Sequence, residues 1–537
     1  MMMIMPSGTY RCVADACGIY FYGVHANDSI WHLALAAVSF NEIPFISPVY
    51  TGALLSGYNI LLDLVIFVFM KLGFPSLYVF FKLLPAVWFI LFTYLLVKLG
   101  RMIKDSVLFV SLLLFFFFFS GSFGYFLTLF HSKTIEGSTG LLAMQSSLMM
   151  TNLQLALSFA LLLAELVLVY QKKWSMKRML ILSLIVALQV GLKFYGGVIS
   201  IFVIGLYLLE LLVRNRDLKR VFLYGLVFSL IQIVAVIVFY NPFVSLQSGS
   251  VLIFAPFSLV HSMIESPNLF FMPDLVQQRY FLYSVNPLST RLLLIELFSA
   301  FLFVFMNFGV RFIGMLYTGG KSIIQKNIKR FDIYLTLIIL FATLIAVLFI
   351  QKGIWWNTVQ FFYYAIFLAN FFSAYLVYDL IKLKRFWSII VGVVFMAAVF
   401  PSNLEVMKGF TELNGVYISD DEISALQYLK EKPTGIVFSA FQIIDQENKS
   451  RLADTSYVSA FTGKQEYINN WVQLELTGID FKGRYDQVKY VNCSFLENVD
   501  YIYYDTNYSN RLFGKCSKEL EPFRQTYSNG MIRIFER

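Results

Sequence analysis

Four residues apart, Asp28 and His32 are the first pair in the chain whose types could do chemistry. On a helix that spacing puts both side chains on one face, a turn apart. A carboxylate beside an imidazole can act as a general base or help to hold a metal. Two plainer roles compete: Asp28 as the N-cap of a helix starting at Ser29, and His32 as a hydrogen-bonded interfacial histidine. Lys193 lies in the run Gly191-Leu192-Lys193-Phe194-Tyr195-Gly196-Gly197, between two apolar stretches. A cation at membrane depth costs about 3 kcal/mol on insertion scales, so it calls for a partner. An anionic lipid phosphate is one candidate, and the glycines permit close backbone approach; snorkelling to the interface is the alternative. Arg279 stands in the long loop 241–290, where a solvated charge is the competing reading. The other polar candidates are His25, His131 with Lys133 and Glu136, His261, and Gln360. Gln360 lies in Trp355–Tyr364, which otherwise reads as an interfacial aromatic belt. There is no Gly-rich phosphate loop, HExxH motif or nucleophile elbow.

The elements that must position these residues belong to a lipid-soluble chain. Of 537 residues, 58% are hydrophobic, 14% are charged and 57 are phenylalanine. Mean hydropathy is +0.69. Too little polar surface exists to cover a soluble fold of this size, so a soluble enzyme, a disordered chain and a disulfide scaffold are excluded. The net charge of +9 is unevenly spread. Residues 1–402 hold 27 Lys+Arg against 14 Asp+Glu, and residues 403–537 hold 15 against 19. The excess sits in short loops between apolar runs, where it orients a membrane protein; no nucleic-acid partner is expected.

Runs long enough for a bilayer, about 20 residues each, occur near 76–98, 104–122, 151–171, 178–192, 194–213, 220–240, 291–312, 331–350, 358–381 and 386–402. Basic clusters fall on every second connection. They are Lys98/Arg101/Lys104, Lys172/Lys173/Lys177/Arg178, Arg214/Arg216/Lys219/Arg220, Arg311/Lys321/Lys326/Lys329/Arg330 and Lys382/Lys384/Arg385. The positive-inside rule places these loops in the cytoplasm. The four histidines, the N-terminal segment and the tail then lie outside. The apolar stretch 52–72 would invert that parity as a span, so it reads as a helix in the outer interface. No signal peptide is visible; the N-terminal segment reaches the outside with help from that helix, or because a preceding span is missing. Three stretches result: 1–75, an extracytoplasmic segment with interfacial helices; 76–402, the transmembrane bundle; and 403–537, an extracytoplasmic domain. Glu165, Glu210 and Glu296 fall within or near spans, without evident counter-charges.

In the tail, Ser419 or Asp420 can cap a helix with Glu422 in its first turn. Strand-like runs follow at Gly435–Ala440, Lys489–Val491, Tyr501–Tyr504 and Met531–Phe535. Cys493 and Cys516 fit either a disulfide or two buried thiols, and no cysteine spacing matches a zinc template. The fold expected is a mainly α membrane protein: a polytopic bundle of about ten spans with interfacial helices and a small α/β or α+β domain.

Asp28-Ser29-Ile30-Trp31-His32, Asn41-Glu42-Ile43-Pro44-Phe45, Gly57-Tyr58-Asn59-Ile60-Leu61-Leu62-Asp63, the break around Lys193 and the Trp355–Tyr364 segment together resemble the GT-C class of polytopic glycosyltransferases. The resemblance is to bacterial relatives of protein O-mannosyltransferases and lipid A aminoarabinose transferase, and it covers most of residues 20–400 in layout. It implies a cell-membrane transferase that moves a sugar, with inversion, from a polyprenyl-phosphate donor to a glycan, lipid or protein acceptor. Asp28 would be the base, with His32 beside it. Lys193, helped by Arg279 or a histidine, would stabilise the departing lipid phosphate. His25, His131, Glu136, His261 and Gln360 would line the site. The paired acidic motif of oligosaccharyltransferases is missing from the second loop, so no cofactor or tightly held metal is expected; a weakly held divalent ion stays compatible. A lipid-linked glycan transporter and a non-catalytic membrane scaffold are the rival readings.

Overall fold

Near its start the chain forms a β-hairpin, β1 (Thr9–Val13) against β2 (Ala16–Phe21), with Cys12 joined to Cys17 by a disulfide. This computed structural model describes residues 3–135, 143–171, 174–240, 242, 252–351, 355–411, 416–447 and 451–537. The second strand of the hairpin takes Val416–Ser419 of the tail as its other neighbour, antiparallel. Sequence order separates these stretches, and the sheet joins them. Met1–Val87, Val236–Ser250 and Gly409–Arg537 form one compact unit; Trp88–Ala235 and Val251–Lys408 form another.

In the first unit, α1 (Asp28–Val38) is buried on nearly every side. Its Trp31 and Leu35 enter a core with Phe438, Phe441, Ile468 and Tyr504 from the tail, and it packs along the short helix Tyr457–Thr462. α2 (Leu61–Lys71) packs beside α1. Eleven residues make α2 about 16 Å long, half of a hydrocarbon core of roughly 30 Å, so 52–72 supplies no span. The connection between the two helices is seated on the tail: Glu466 N–H donates to Pro48 O and Asn469 N–H to Val49 O, each at 2.9 Å. Arg484 adds a bond to Thr51 O at 3.0 Å and lies over the Tyr50 ring.

The tail builds a four-stranded sheet in which Val437–Phe438 runs parallel to Tyr501–Asp505, and Ile532–Glu536 lies antiparallel to both Tyr501–Asp505 and Arg524–Ser528. Three of its strands fall on expected runs. The edge strand Arg524–Ser528 is polar and carries no apolar signal. Lys489–Val491, expected as a strand, is the end of the helix Lys482–Lys489 and its turn, with Val491 at φ +52°. Ser419 caps Asp420–Glu431 through a reciprocal box: its hydroxyl accepts Glu422 N–H, and its own N–H donates to the Glu422 carboxylate at 2.7 Å. Cys493 and Cys516 are disulfide-bonded.

Burial pushes the Asp454 carboxyl up to about 7, although it accepts Trp471 N–H at 2.8 Å. The folded state therefore holds a proton that the unfolded chain gives up near pH 4. Its contribution is fully present below about pH 4 and is lost as pH rises towards 7. Asp454→Asn keeps an acceptor and removes this slope. The variant should melt several degrees above wild type near pH 7.5, and the difference should vanish near pH 4 when the two are compared by thermal unfolding.

Among the described residues, eight helices are long and apolar enough to cross a membrane: Ser76–Ile103, Leu153–Tyr170, Phe194–Asn215, Leu218–Tyr240, Thr290–Phe308, Arg330–Leu348, Trp356–Lys382 and Phe386–Glu405. The pair Val107–Phe119 and Gly124–Ser132, bent by 47°, supplies a ninth if counted as one span. Of the ten expected runs, 178–192 becomes Met176–Leu192, whose 17 residues reach only about 25 Å.

Within the second unit the expected seventh span needs correction. The chain turns at Gly309 (φ +54°), and a further helix, Val310–Ile324, follows. Gly314 lets it lie against the backbone of Phe372, where a Cβ would come within 2.6 Å. Arg311 is therefore not in a basic loop. It is fully buried and donates to Ser120 O at 2.7 Å, beyond the C-terminus of Val107–Phe119. Lys104 precedes the other end of that helix. There Lys104 (3.5 Å) and Lys321 (2.5 Å) share Asp379. Two of the three glutamates expected without evident counter-charges need correction: Glu210 pairs with Arg214 (2.9 Å) and Arg330, and Glu296 with Arg279 (2.6 Å); Glu165 has no ion-pair partner among the described residues.

Candidate active site

α1 begins at Asn27, which caps it without a side-chain bond, so Asp28 is its first helical residue and not its cap. One turn on, His32 is almost wholly buried. Its Nε2 lies 3.9 Å from Asp28 Oδ1. Its Nδ1 lies 2.8 Å from Oδ1 of Asp63, on α2. Asp63 is fully buried, whereas the Asp28 side chain is 33% exposed, so the array runs from solvent into the core. The Tyr58 ring lies 6.1 Å from the imidazole and the Phe80 ring stacks 6.2 Å from it.

An ionised carboxylate only accepts hydrogen bonds, so Asp63 fixes the hydrogen on Nδ1 and leaves the Nε2 lone pair towards Asp28. Burial pushes the Asp63 carboxyl up, and His32 pulls it back down. Burial, reinforced by the charges of Asp28 and Asp63, holds the Tyr58 hydroxyl well above its usual range, as a neutral phenol. The arrangement suits proton transfer at a solvent-facing carboxylate.

His25 has no such outlook. It is 1% exposed, and its Nδ1 bonds Ser7 Oγ at 3.0 Å, which in turn accepts Tyr22 N–H. Its place is in the core of the first unit, and the expectation that it lines a site is corrected.

The remaining candidates belong to the second unit. Lys193 is 8% exposed and joins Met176–Leu192 to Phe194–Asn215 as a non-helical residue. The glycines after it serve close approach: a Cβ on Gly196 would fall 2.3 Å from Ser158 Oγ and 2.5 Å from Tyr364 Oη. Beside this break, Tyr195 Oη donates to Gln351, Asn357 donates to the same oxygen (3.1 and 2.9 Å), and Gln360 donates to Asn357. Arg279 meets Glu296 at 2.6 Å, Glu265 at 3.0 Å and His261 Nδ1 at 3.0 Å. Two carboxylates balance its charge, so the expected phosphate-binding role is corrected: Arg279 ties Pro273–Val285 to Thr290–Phe308. His261 is held in that cluster, where burial and Arg279 lower its basicity. His131 bonds Leu269 O at the end of Gly124–Ser132. Glu136 lies outside the described residues.

No family model matches the chain, and no curated protein does. It is similar to ArnT from Cupriavidus metallidurans. In the apo state that structure is 11% identical, with 99% of this chain and 95% of that one covered and a TM-score of 0.42. Bound to undecaprenyl phosphate it is 11% identical, with 96% and 94% covered and a TM-score of 0.41. Similarity at this level fixes neither a residue correspondence nor a substrate.

Asp63 is a candidate site residue that spacing does not reveal. It stands 31 positions from His32, and only the packing of α2 on α1 brings them together. A signal does exist: Asp63 is the sole charge between Glu42 and Lys71. An acid in so apolar a stretch calls for a partner.

Proposed function

We propose that the protein is a membrane glycosyltransferase that moves a sugar from a polyprenyl-phosphate donor to an extracytoplasmic glycan, lipid or protein. One observation carries this reading: Asp28 sits part-exposed at the first turn of α1, with the buried His32–Asp63 pair directly behind it. In the reaction, Asp28 takes the proton of an acceptor hydroxyl. The hydroxyl oxygen bonds to the anomeric carbon while the bond from that carbon to the phosphate oxygen breaks, and its electron pair leaves with the lipid phosphate. One such displacement inverts the sugar carbon. The reading uses no metal or cofactor. Two disulfides in the first unit support its placement in an oxidising compartment.

The test is to incubate the purified protein with a panel of polyprenyl-phosphate sugars and a mixed acceptor fraction, and to measure release of polyprenyl phosphate. Release from at least one donor is expected, and none from any overturns the reading.

A further inference from the structure

We propose that His32, held by Asp63, is the way out for the proton that Asp28 takes from the acceptor. This deepens the transferase reading and depends on it. The geometry is specific. Asp63 Oδ1 accepts the Nδ1 hydrogen at 2.8 Å, which leaves the Nε2 lone pair as the ring's only basic position, and that atom lies 3.9 Å from Asp28 Oδ1. The gap is longer than a hydrogen bond, but Asp28 is part-exposed, and catalytic contacts often tighten only with substrate bound.

Burial supplies the driving force. With His32 neutral, the pair carries one negative charge inside the protein, and Asp63 Oδ2 has no hydrogen-bond partner among the described residues. Proton uptake by Nε2 turns the pair into an imidazolium–carboxylate pair of zero net charge. Desolvation favours that state, in keeping with the upward push on Asp63. The groups that face the ring are Asp28 on α1, Asp63 on α2, the neutral Tyr58 phenol ahead of α2, and the Phe80 ring. In the cycle the hydroxyl proton moves to Asp28 and then to Nε2, so Asp28 is again a carboxylate. The imidazolium later returns the proton through Asp28 to water. Asp63 touches no substrate and acts as a positioning residue.

A purely structural role, in which the pair only ties α1 to α2, makes different predictions. Under the relay, Asp63→Asn lowers kcat by about 10²–10⁴-fold, leaves KM for the donor within about twofold, and moves the acidic limb of the pH–rate profile to lower pH. Asp63→Glu restores part of the rate and returns that limb towards wild type. A second readout needs no turnover. The chain has four histidines, so ¹⁵N-histidine spectra can be assigned with His32→Gln. The His32 pKa should fall by about one unit or more in Asp63→Asn. Unchanged His32 titration in Asp63→Asn overturns the relay, as does a kcat loss with an unshifted pH profile. Full speed in Asp63→Asn with an inactive Asp28→Asn removes the relay and leaves the base in place. Absence of transfer by wild type from every donor removes the transferase reading and the relay with it.

Discussion

Asp28→Asn is expected to abolish sugar transfer while the protein remains folded and inserted. Asparagine has the same shape as aspartate but cannot take a proton. A positioned base contributes on the order of 10²–10⁴-fold, so turnover should fall by at least that factor. The fold has little reason to fail. Asp28 is part-exposed, it does not cap α1, and the face of α1 that enters the core is carried by Trp31 and Leu35. Loss of a negative charge at a helix N-terminus costs about 0.3–1 kcal/mol, a shift of a few degrees in melting temperature. The check is turnover and thermal unfolding on the same preparation. Near-wild-type turnover in a folded Asp28→Asn protein removes the proposed base. A collapse in Tm would instead assign Asp28 to the fold.

That prediction could be framed from the sequence because Asp28 and His32 lie four apart on one helix, and a short-range spacing survives folding unchanged. The apolar runs were legible for a similar reason: a bilayer span is a local property of composition. What could not be read is what packing decides. Asp63 becomes part of the array only when α2 settles on α1. Arg279 looks like a lone loop cation until Glu265 and Glu296, 14 and 17 residues away, close on it. Lys193 sits at the break that its glycine run announced, since those glycines make room for Ser158 and Tyr364. The tail's capping box was visible in Ser419 and Glu422, because a cap is written in three or four consecutive residues. Its polar edge strand was not. The seating of the 47–51 connection on residues 465–469 was beyond reach as well, because it joins segments more than four hundred positions apart.

The same distinction governs Arg311, whose replacement should cost the most stability. Read along the chain it is one more basic residue after an apolar run. In the fold it is a fully buried cation held by neutral oxygens: Asn370 Oδ1 at 2.7 Å, Gln145 Oε1 at 2.8 Å, Ser120 O at 2.7 Å and Gly121 O at 3.1 Å. Weaker contacts reach Phe308 O and Asn307 O, at the end of Thr290–Phe308. These carbonyls belong to helix C-termini, which carry partial negative charge and lack intrahelical donors. One guanidinium thus satisfies the ends of two helices and two buried amides, just where Val107–Phe119 and Gly124–Ser132 bend apart and the chain turns at Gly309. Arg311→Met fills similar volume and donates nothing. Each acceptor left dry costs about 1–3 kcal/mol, so several together approach the 5–15 kcal/mol that holds a typical protein folded. The variant should fail to accumulate as a monodisperse protein in detergent, or melt at least ten degrees early. Arg311→Lys, a point charge without the planar fork, should fall between it and wild type, since three donors on one nitrogen cannot reach all four oxygens. Fluorescence-detected size-exclusion after a heat step measures all three proteins. A wild-type melting profile for Arg311→Met would mean that water or a side-chain rearrangement satisfies those carbonyls, and that the broken helices are held by their apolar contacts alone.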